Sequence, residues 1–222
     1  MQTNTEECRY IGDLLKADTL LEKYKDTPFH SSIASLARSD SNIRPIRRDG
    51  NCFYYSIIFL ALEYYSTPAL SAALINTLTE LNGALAETGV EDYLIKEFTD
   101  PIMTILKSAT TGEAPNIEDL DSIFWNYTVT YFRMIASAYI KKNSEVFAGF
   151  IEGPVDKYCA MNIEASSQYA GEIEITAISS SLSISFDVVC IEDGKMETLT
   201  RGEGPKIGSL LYISEHFDIL YS

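Results

Sequence analysis

Ser209-Leu210-Leu211-Tyr212-Ile213-Ser214-Glu215-His216-Phe217-Asp218-Ile219-Leu220-Tyr221 decides the fold class, because two apolar runs of strand length are parted there by a short polar insert. Ser209 to Ile213 and Phe217 to Tyr221 therefore read as strands. Upstream, Phe186 to Ile191 is rich in β-branched residues and reads as a third, buried strand, with Asp193-Gly194 as the turn that follows it. Before that third of the chain the apolar residues change period.

Working back, the spacing is helical. Phe53 to Leu62 is an apolar run without Gly or Pro and suits a helix buried on most faces. Thr67-Pro68 starts the next helix, with Thr as cap and Pro in the first turn, on a stripe of Leu70, Leu74, Leu78, Leu81 and Leu85 that ends before Gly89. Tyr93, Leu94, Phe98, Ile102 and Leu106 mark a third amphipathic stretch, which Pro101 should interrupt. Gly112 to Asn116 is a loop, and Val129, Phe132, Ala136, Tyr139 and Ile140 lie on one stripe of another long helix. Glu145 to Met161 adds two short helices broken at Gly153-Pro154. Glu172-Ile173-Glu174-Ile175 alternates with period two, while Ile178 and Leu182 would continue a helix, so both readings stand.

The first forty residues read as two short helices, one on Ile11, Leu14, Leu15 and Leu21, the other capped by Ser32 and carrying Ile33, Leu36 and Ala37. A polar, cationic loop from Arg38 to Gly50 follows. No repeat or linker divides the chain. The expectation is one α+β domain over 1–222, with a helical N-terminal part at 1–40 and a core at 41–222: the N-terminal two-thirds of the chain is helical and a small sheet is built mainly from the C-terminal third.

Thirty-two Asp and Glu against seventeen Lys and Arg give a net charge of −15. Such a surface repels phosphate backbones and anionic lipid, so neither nucleic acid nor membrane is an expected partner, whereas a protein with a basic face suits it. The N-terminal residues lack the layout of a secretory signal. Cys8, Cys52, Cys159 and Cys190 are widely spaced and form no CxxC pair, which points to reduced thiols in a cytoplasmic or nuclear compartment. With only two histidines the chain offers no zinc set, and no cofactor or metal is expected.

A nucleophilic cysteine needs a base and donors for the developing oxyanion. Asp49-Gly50-Asn51-Cys52 favours a tight loop that runs directly into the apolar helix. Cys52 then sits at a helix start, where the dipole favours an anionic sulfur and main-chain N–H groups are unpaired. Taken blind, Cys52 is more simply a small core residue beside a turn. His216 and Asp218 stand at i and i+2 of a strand and share a face, so the carboxylate can orient the imidazole toward a nucleophile. His30 reads as a surface or capping residue, Cys159 and Cys190 as core, and Cys8 as part of a mobile terminus. Glu118, Asp119 and Asp121 look like an acidic helix start more than a metal site, and Arg47 and Arg48 like a solvated loop.

At these residues the chain resembles a known family. Ile43-Arg44-Pro45-Ile46-Arg47-Arg48-Asp49-Gly50-Asn51-Cys52-Phe53-Tyr54 is similar to the nucleophile segment of the otubains, deubiquitinating cysteine proteases of the ovarian-tumour (OTU) type, and Leu210 to Tyr221 to their histidine segment. Tyr131 to Tyr139, Phe150 to Gly153 and Ile173 to Ile184 also match, in the same order, and only Pro68 to Asn116 agrees weakly. The resemblance implies a compact papain-like OTU domain that cuts the isopeptide bond after ubiquitin's terminal glycine in conjugates or polyubiquitin chains. It implies Cys52 as nucleophile, His216 as base and then acid, Asp218 as orienter, and Asp49 as an active-site residue. On the physical reading, the loop of Asp49, Gly50, Asn51 and Cys52 builds the oxyanion hole. Ubiquitin-conjugating enzymes are the other partner class, and a regulator that binds ubiquitin or such an enzyme without cutting is the competing reading. Otubains often carry Asp and His around Gly171 to Glu174, and the short N-terminal region leaves little room for the arm some of them use against conjugating enzymes.

Overall fold

A computed structural model describes residues 9–113 and 116–222. Cys8 lies outside the described residues, as does the middle of the expected 112–116 loop. Six strands form one sheet in the order β1-β2-β6-β5-β3-β4, where β1 is Leu15–Lys16, β2 Asn42–Arg44, β3 Ser185–Glu192, β4 Lys195–Gly202, β5 Lys206–Ile213 and β6 His216–Tyr221. All pairings are antiparallel except β3 with β5.

Both faces of the sheet are covered, which explains why its inner strands read as unbroken apolar runs. Successive residues of one strand enter different cores: Val188, Leu210 and Ile219 join the main core, while Val189, Leu211 and Leu220 join a smaller one. Helices α1 (Leu20–Lys23) and α2 (His30–Arg38) close the smaller core through Leu20, Ile33 and Leu36. On the other face lies α3 (Cys52–Tyr64), buried from Cys52 through Leu62 and packed on β5, β6 and α6 (Ser122–Lys142). Its partners surround it, so no polar face was needed.

The remaining helices build outward from α6: α4 (Pro68–Glu87), α5 (Asp92–Thr110), α7 (Ser144–Phe147), α8 (Val155–Tyr158) and α9 (Glu172–Leu182). Pro101 does not interrupt α5. The missing donor and ring clash cost about 3 kcal/mol, whereas burying Ile95, Ile102 and Leu106 returns about 1.5–3 kcal/mol each. Glu172 to Leu182 is helix, with Glu174 reaching back to accept the Gly171 N–H at 2.7 Å.

Three expectations at the N-terminal end fail. Ile11 is not helical: it bridges to Ile46, and Gly12 N donates to Pro45 O at 2.7 Å. Ile11 is buried while Leu14 and Leu15 are exposed, so their spacing never described one face. The 38–50 segment is not all loop, since β2 lies inside it and Arg44 is buried. The Arg44 guanidinium donates to Gly12 O at 3.0 Å and Glu118 Oε1 at 2.7 Å and lies over the Phe59 ring. Ser32 sits within α2 rather than capping it, and its hydroxyl donates to Gly194 O at 2.9 Å.

Candidate active site

The start of α3 and the start of β6 meet at one end of the sheet. His216 is the first residue of β6, paired across the ladder with Ile213. The connection between them is two residues, Ser214 and Glu215, with φ of 50° and 60°. A two-residue turn with both φ positive has the twist that antiparallel strands require. His216 is thereby held at the strand mouth beside Phe217, whose ring packs on Phe53 and Tyr212.

Asp218, two residues on, faces the same side. Its Oδ1 lies 2.9 Å from His216 Nε2 and accepts the Ile46 N–H at 2.8 Å. With Nε2 engaged by Asp218, Nδ1 is left for Cys52, which lies near enough to hold the His216 pKa up. Burial pulls the imidazolium pKa down, but the bonds and charges of Asp218 and Cys52 outweigh it, so His216 titrates above the ordinary histidine value. The three side chains form a relay from carboxylate to imidazole to thiol.

The loop before Cys52 is tightly held. Gly50 has φ of +86°, and a Cβ there would stand 2.1 Å from Ser167 O, so glycine is required twice over. Asp49 Oδ1 accepts the Asn51 main-chain N–H at 3.0 Å and its side-chain amide at 3.2 Å, while Oδ2 accepts the Tyr55 hydroxyl at 2.9 Å. The Asn51 N–H is thus already spent on a side chain and is not an oxyanion donor. The first main-chain bond of α3 runs from Tyr55 N to Asn51 O, which leaves the Cys52 N–H without an intrahelical acceptor. Asp49 therefore works through its carboxylate as well as through its loop.

All of Asp49, Gly50, Asn51, Cys52, His216 and Asp218 come together here. Tyr55 and Arg133 were not foreseen. Arg133, buried in α6, donates to Asn51 Oδ1 at 2.7 Å; the available signal was a lone cation within the apolar stripe of Val129, Phe132 and Ala136. The other candidates are elsewhere. Cys159 is buried, but Cys190 is half-exposed on β3 rather than core. Asp121 caps α6 by accepting the Phe124 N–H at 2.9 Å, and Glu118 pairs with Arg44. Arg47 is not free in solvent: it lies over Tyr10 and 3.3 Å from Asp49. His30 opens α2, with Nδ1 buried and unpaired among the described residues. Among the described residues, no group of three or more His, Cys, Asp or Glu is arranged to hold a metal ion and no helix is long and apolar enough to cross a membrane.

Comparison with known proteins converges on one family. The family model described as Peptidase C65 Otubain matches residues 3–222. The chain is 27% identical to the human protein named ubiquitin thioesterase OTUB1 over 226 residues, covering 95% of this chain and 82% of that one. It is 29% identical to the Caenorhabditis elegans ubiquitin thioesterase otubain-like over 208 residues, 87% of this chain and 73% of that one. Among solved structures, that of h/ceOTUB1-ubiquitin aldehyde-UBCH5B~Ub superposes with a TM-score of 0.83 at 25% identity, covering 96% of this chain and 90% of the other.

Proposed function

The chain belongs to the otubain family of C65 peptidases, and on that premise we propose that it is a thiol-dependent deubiquitinase that hydrolyses the bond after ubiquitin's C-terminal glycine. The observation that carries this reading is the Cys52–His216–Asp218 relay at the mouth of a glycine-tight loop. Relatives along nearly the whole chain are named ubiquitin thioesterases, which supports ubiquitin as the acyl group. A neighbouring structure that contains ubiquitin aldehyde and UBCH5B~Ub supports ubiquitin chains and ubiquitin-conjugating enzymes as partner classes.

Cys52 gives its thiol proton to His216 as the sulfur attacks the glycine carbonyl carbon, and the carbonyl oxygen takes the charge facing the Cys52 N–H. His216, as imidazolium, gives its proton to the leaving lysine amine as the C–N bond breaks. A thioester remains. Neutral His216 then removes a proton from water, which attacks the thioester, and the proton returns to the departing sulfur. Asp218 keeps the ring in one orientation through both half-reactions. The free thiols of Cys52, Cys159 and Cys190 suit a reducing compartment, cytoplasmic or nuclear.

Turnover of a ubiquitin C-terminal fluorogenic amide tests the reading. The parent protein releases fluorophore and Cys52→Ala does not. Tight binding of ubiquitin by a parent that releases none would favour the non-cutting regulator.

A further inference from the structure

Arg133 makes more of its guanidinium than a single ion pair would. Nε and Nη2 both donate to Asn51 Oδ1, at 3.2 and 2.7 Å, and Nη2 also reaches Gly50 O at 3.3 Å. Nη1 donates to Ile163 O at 2.9 Å, and Nη2 to Gln168 O at 2.7 Å. The group lies 4.4 Å over the Tyr54 ring, with Glu174 and Asp49 as nearby anions. Its partners thus come from two loops, 50–51 and 163–168, which already touch where Gly50 meets Ser167.

The Gly50–Asn51 peptide plane is held from opposite edges. Arg133 takes its carbonyl, and Asp49 Oδ1 takes its N–H. A peptide fixed at both edges cannot flip, and the chain leaving it enters α3 at one angle. The Asn51 side chain repeats the pattern, its Oδ1 on Arg133 and its Nδ2 on Asp49.

We propose that Arg133 is a positioning residue for the oxyanion loop: with Asp49 it locks the Gly50–Asn51 peptide, so that the Cys52 N–H is left aimed at the reacting carbonyl, and it ties the 163–168 loop to that geometry. The proposal rests on the deubiquitinase reading. It separates two functions of one segment: the sulfur depends on His216, whereas the oxyanion donor depends on Arg133. A planar fork is required because four acceptors lie around it, and a lysine ammonium has no such geometry.

The test compares the parent with Arg133→Lys, Asn51→Ala and the double variant, using thermal melts as a control for folding. Three readouts are taken: kcat and KM on a ubiquitin fluorogenic amide, the inhibition constant of ubiquitin aldehyde, and the rate at which iodoacetamide alkylates Cys52. Alkylation needs the sulfur but no oxyanion, whereas the aldehyde adduct places an oxygen in the oxyanion position. In each single variant kcat falls on the order of 100-fold, while KM and the alkylation rate stay within about threefold. Aldehyde affinity falls in proportion to kcat/KM, and the double variant is no worse than the worse single. Alkylation that fell together with kcat, or parent kcat/KM in both singles, would overturn the proposal. If Arg133→Lys fails to fold, Asp49→Ala takes its place under the same three readouts, because it frees the Asn51 N–H, the other edge of the same peptide, while leaving Arg133 its acceptors. An active parent with unaffected variants overturns the clamp only; a parent inactive on the amide overturns the functional reading and the clamp with it.

Discussion

Asp218 Oδ1 lies 2.9 Å from His216 Nε2, and the Ile46 N–H holds that same oxygen at 2.8 Å. The carboxylate proposed to orient the imidazole is itself held by main chain just beyond β2. Asp218→Ala removes both bonds and lowers kcat/KM on a ubiquitin amide by about 10–1000-fold, less than His216→Ala does. Asp218→Asn is milder, because an amide oxygen can accept the same two N–H groups. Circular dichroism should find all three variants folded, and parent-like turnover by Asp218→Ala would move the orienter elsewhere.

The pH profile follows from His216. Since Asp218 and Cys52 together outweigh burial and raise its pKa, the proton it must donate to the leaving amine is lost only above the usual histidine range of about 6.5. The alkaline limb of kcat/KM therefore lies above that value and moves to lower pH in Asp218→Asn, which removes an anion that held the proton. Stability has the same sign. A raised folded pKa contributes fully below about pH 6.5 and is lost as pH rises through the folded value. The difference in urea midpoint between the parent and Asp218→Asn thus narrows from about pH 6 to about pH 9. A limb that stays put in the variant would show that Asp218 does not act on the ring.

Gly50→Ala probes the contact with Ser167. At φ of +86° and with Ser167 O 2.1 Å from the new Cβ, either the backbone strains or the 163–168 loop lifts. The expected cost is about 2 kcal/mol or more in urea unfolding, with kcat/KM reduced by at least about 100-fold. An alanine variant with parent stability would mean that the two loops do not touch.

Much of the architecture was legible because the strands of the sheet centre are covered on both sides. Val188 and Val189, Leu210 and Leu211, Ile219 and Leu220 serve opposite cores, so apolar runs identified them without ambiguity. The edges were not legible. Every residue from Lys195 to Thr198 in β4 is exposed, so no apolar face announces a strand there. β2 hid behind Arg44, whose neutralising partner Glu118 is distant in sequence. At the site, Cys52, His216 and Asp218 were readable because helix start and strand register place them by local rules. Arg133 was not, because three of its five hydrogen bonds go to Asn51 and Gly50, 82 and 83 residues away, and the other two go to the carbonyls of Ile163 and Gln168, which only the fold brings near.

The β5–β6 turn offers a stability test beside the site. Ser214 and Glu215 both occupy the left-handed region, where a side chain costs about 1–2 kcal/mol and Asn-Gly is preferred. Replacing them together, Ser214→Asn with Glu215→Gly, should stabilise the fold by about 1 kcal/mol and raise Tm by a few degrees. A lower Tm would mean that the native side chains offset their strain through contacts of their own.

The central claim is that Cys52 is the attacking atom of a ubiquitin-specific thiol hydrolase. A ubiquitin bearing a C-terminal electrophile, incubated with the pure protein and followed by peptide mapping, tests it most directly. Burial raises the thiol pKa of Cys159 and of Cys190, and Glu192 and Glu197 raise that of Cys190 further, so neither competes near neutral pH. The account predicts one adduct per chain, on Cys52, abolished in Cys52→Ala and strongly slowed in His216→Ala. An adduct on Cys8, Cys159 or Cys190 with Cys52 unmodified would contradict it.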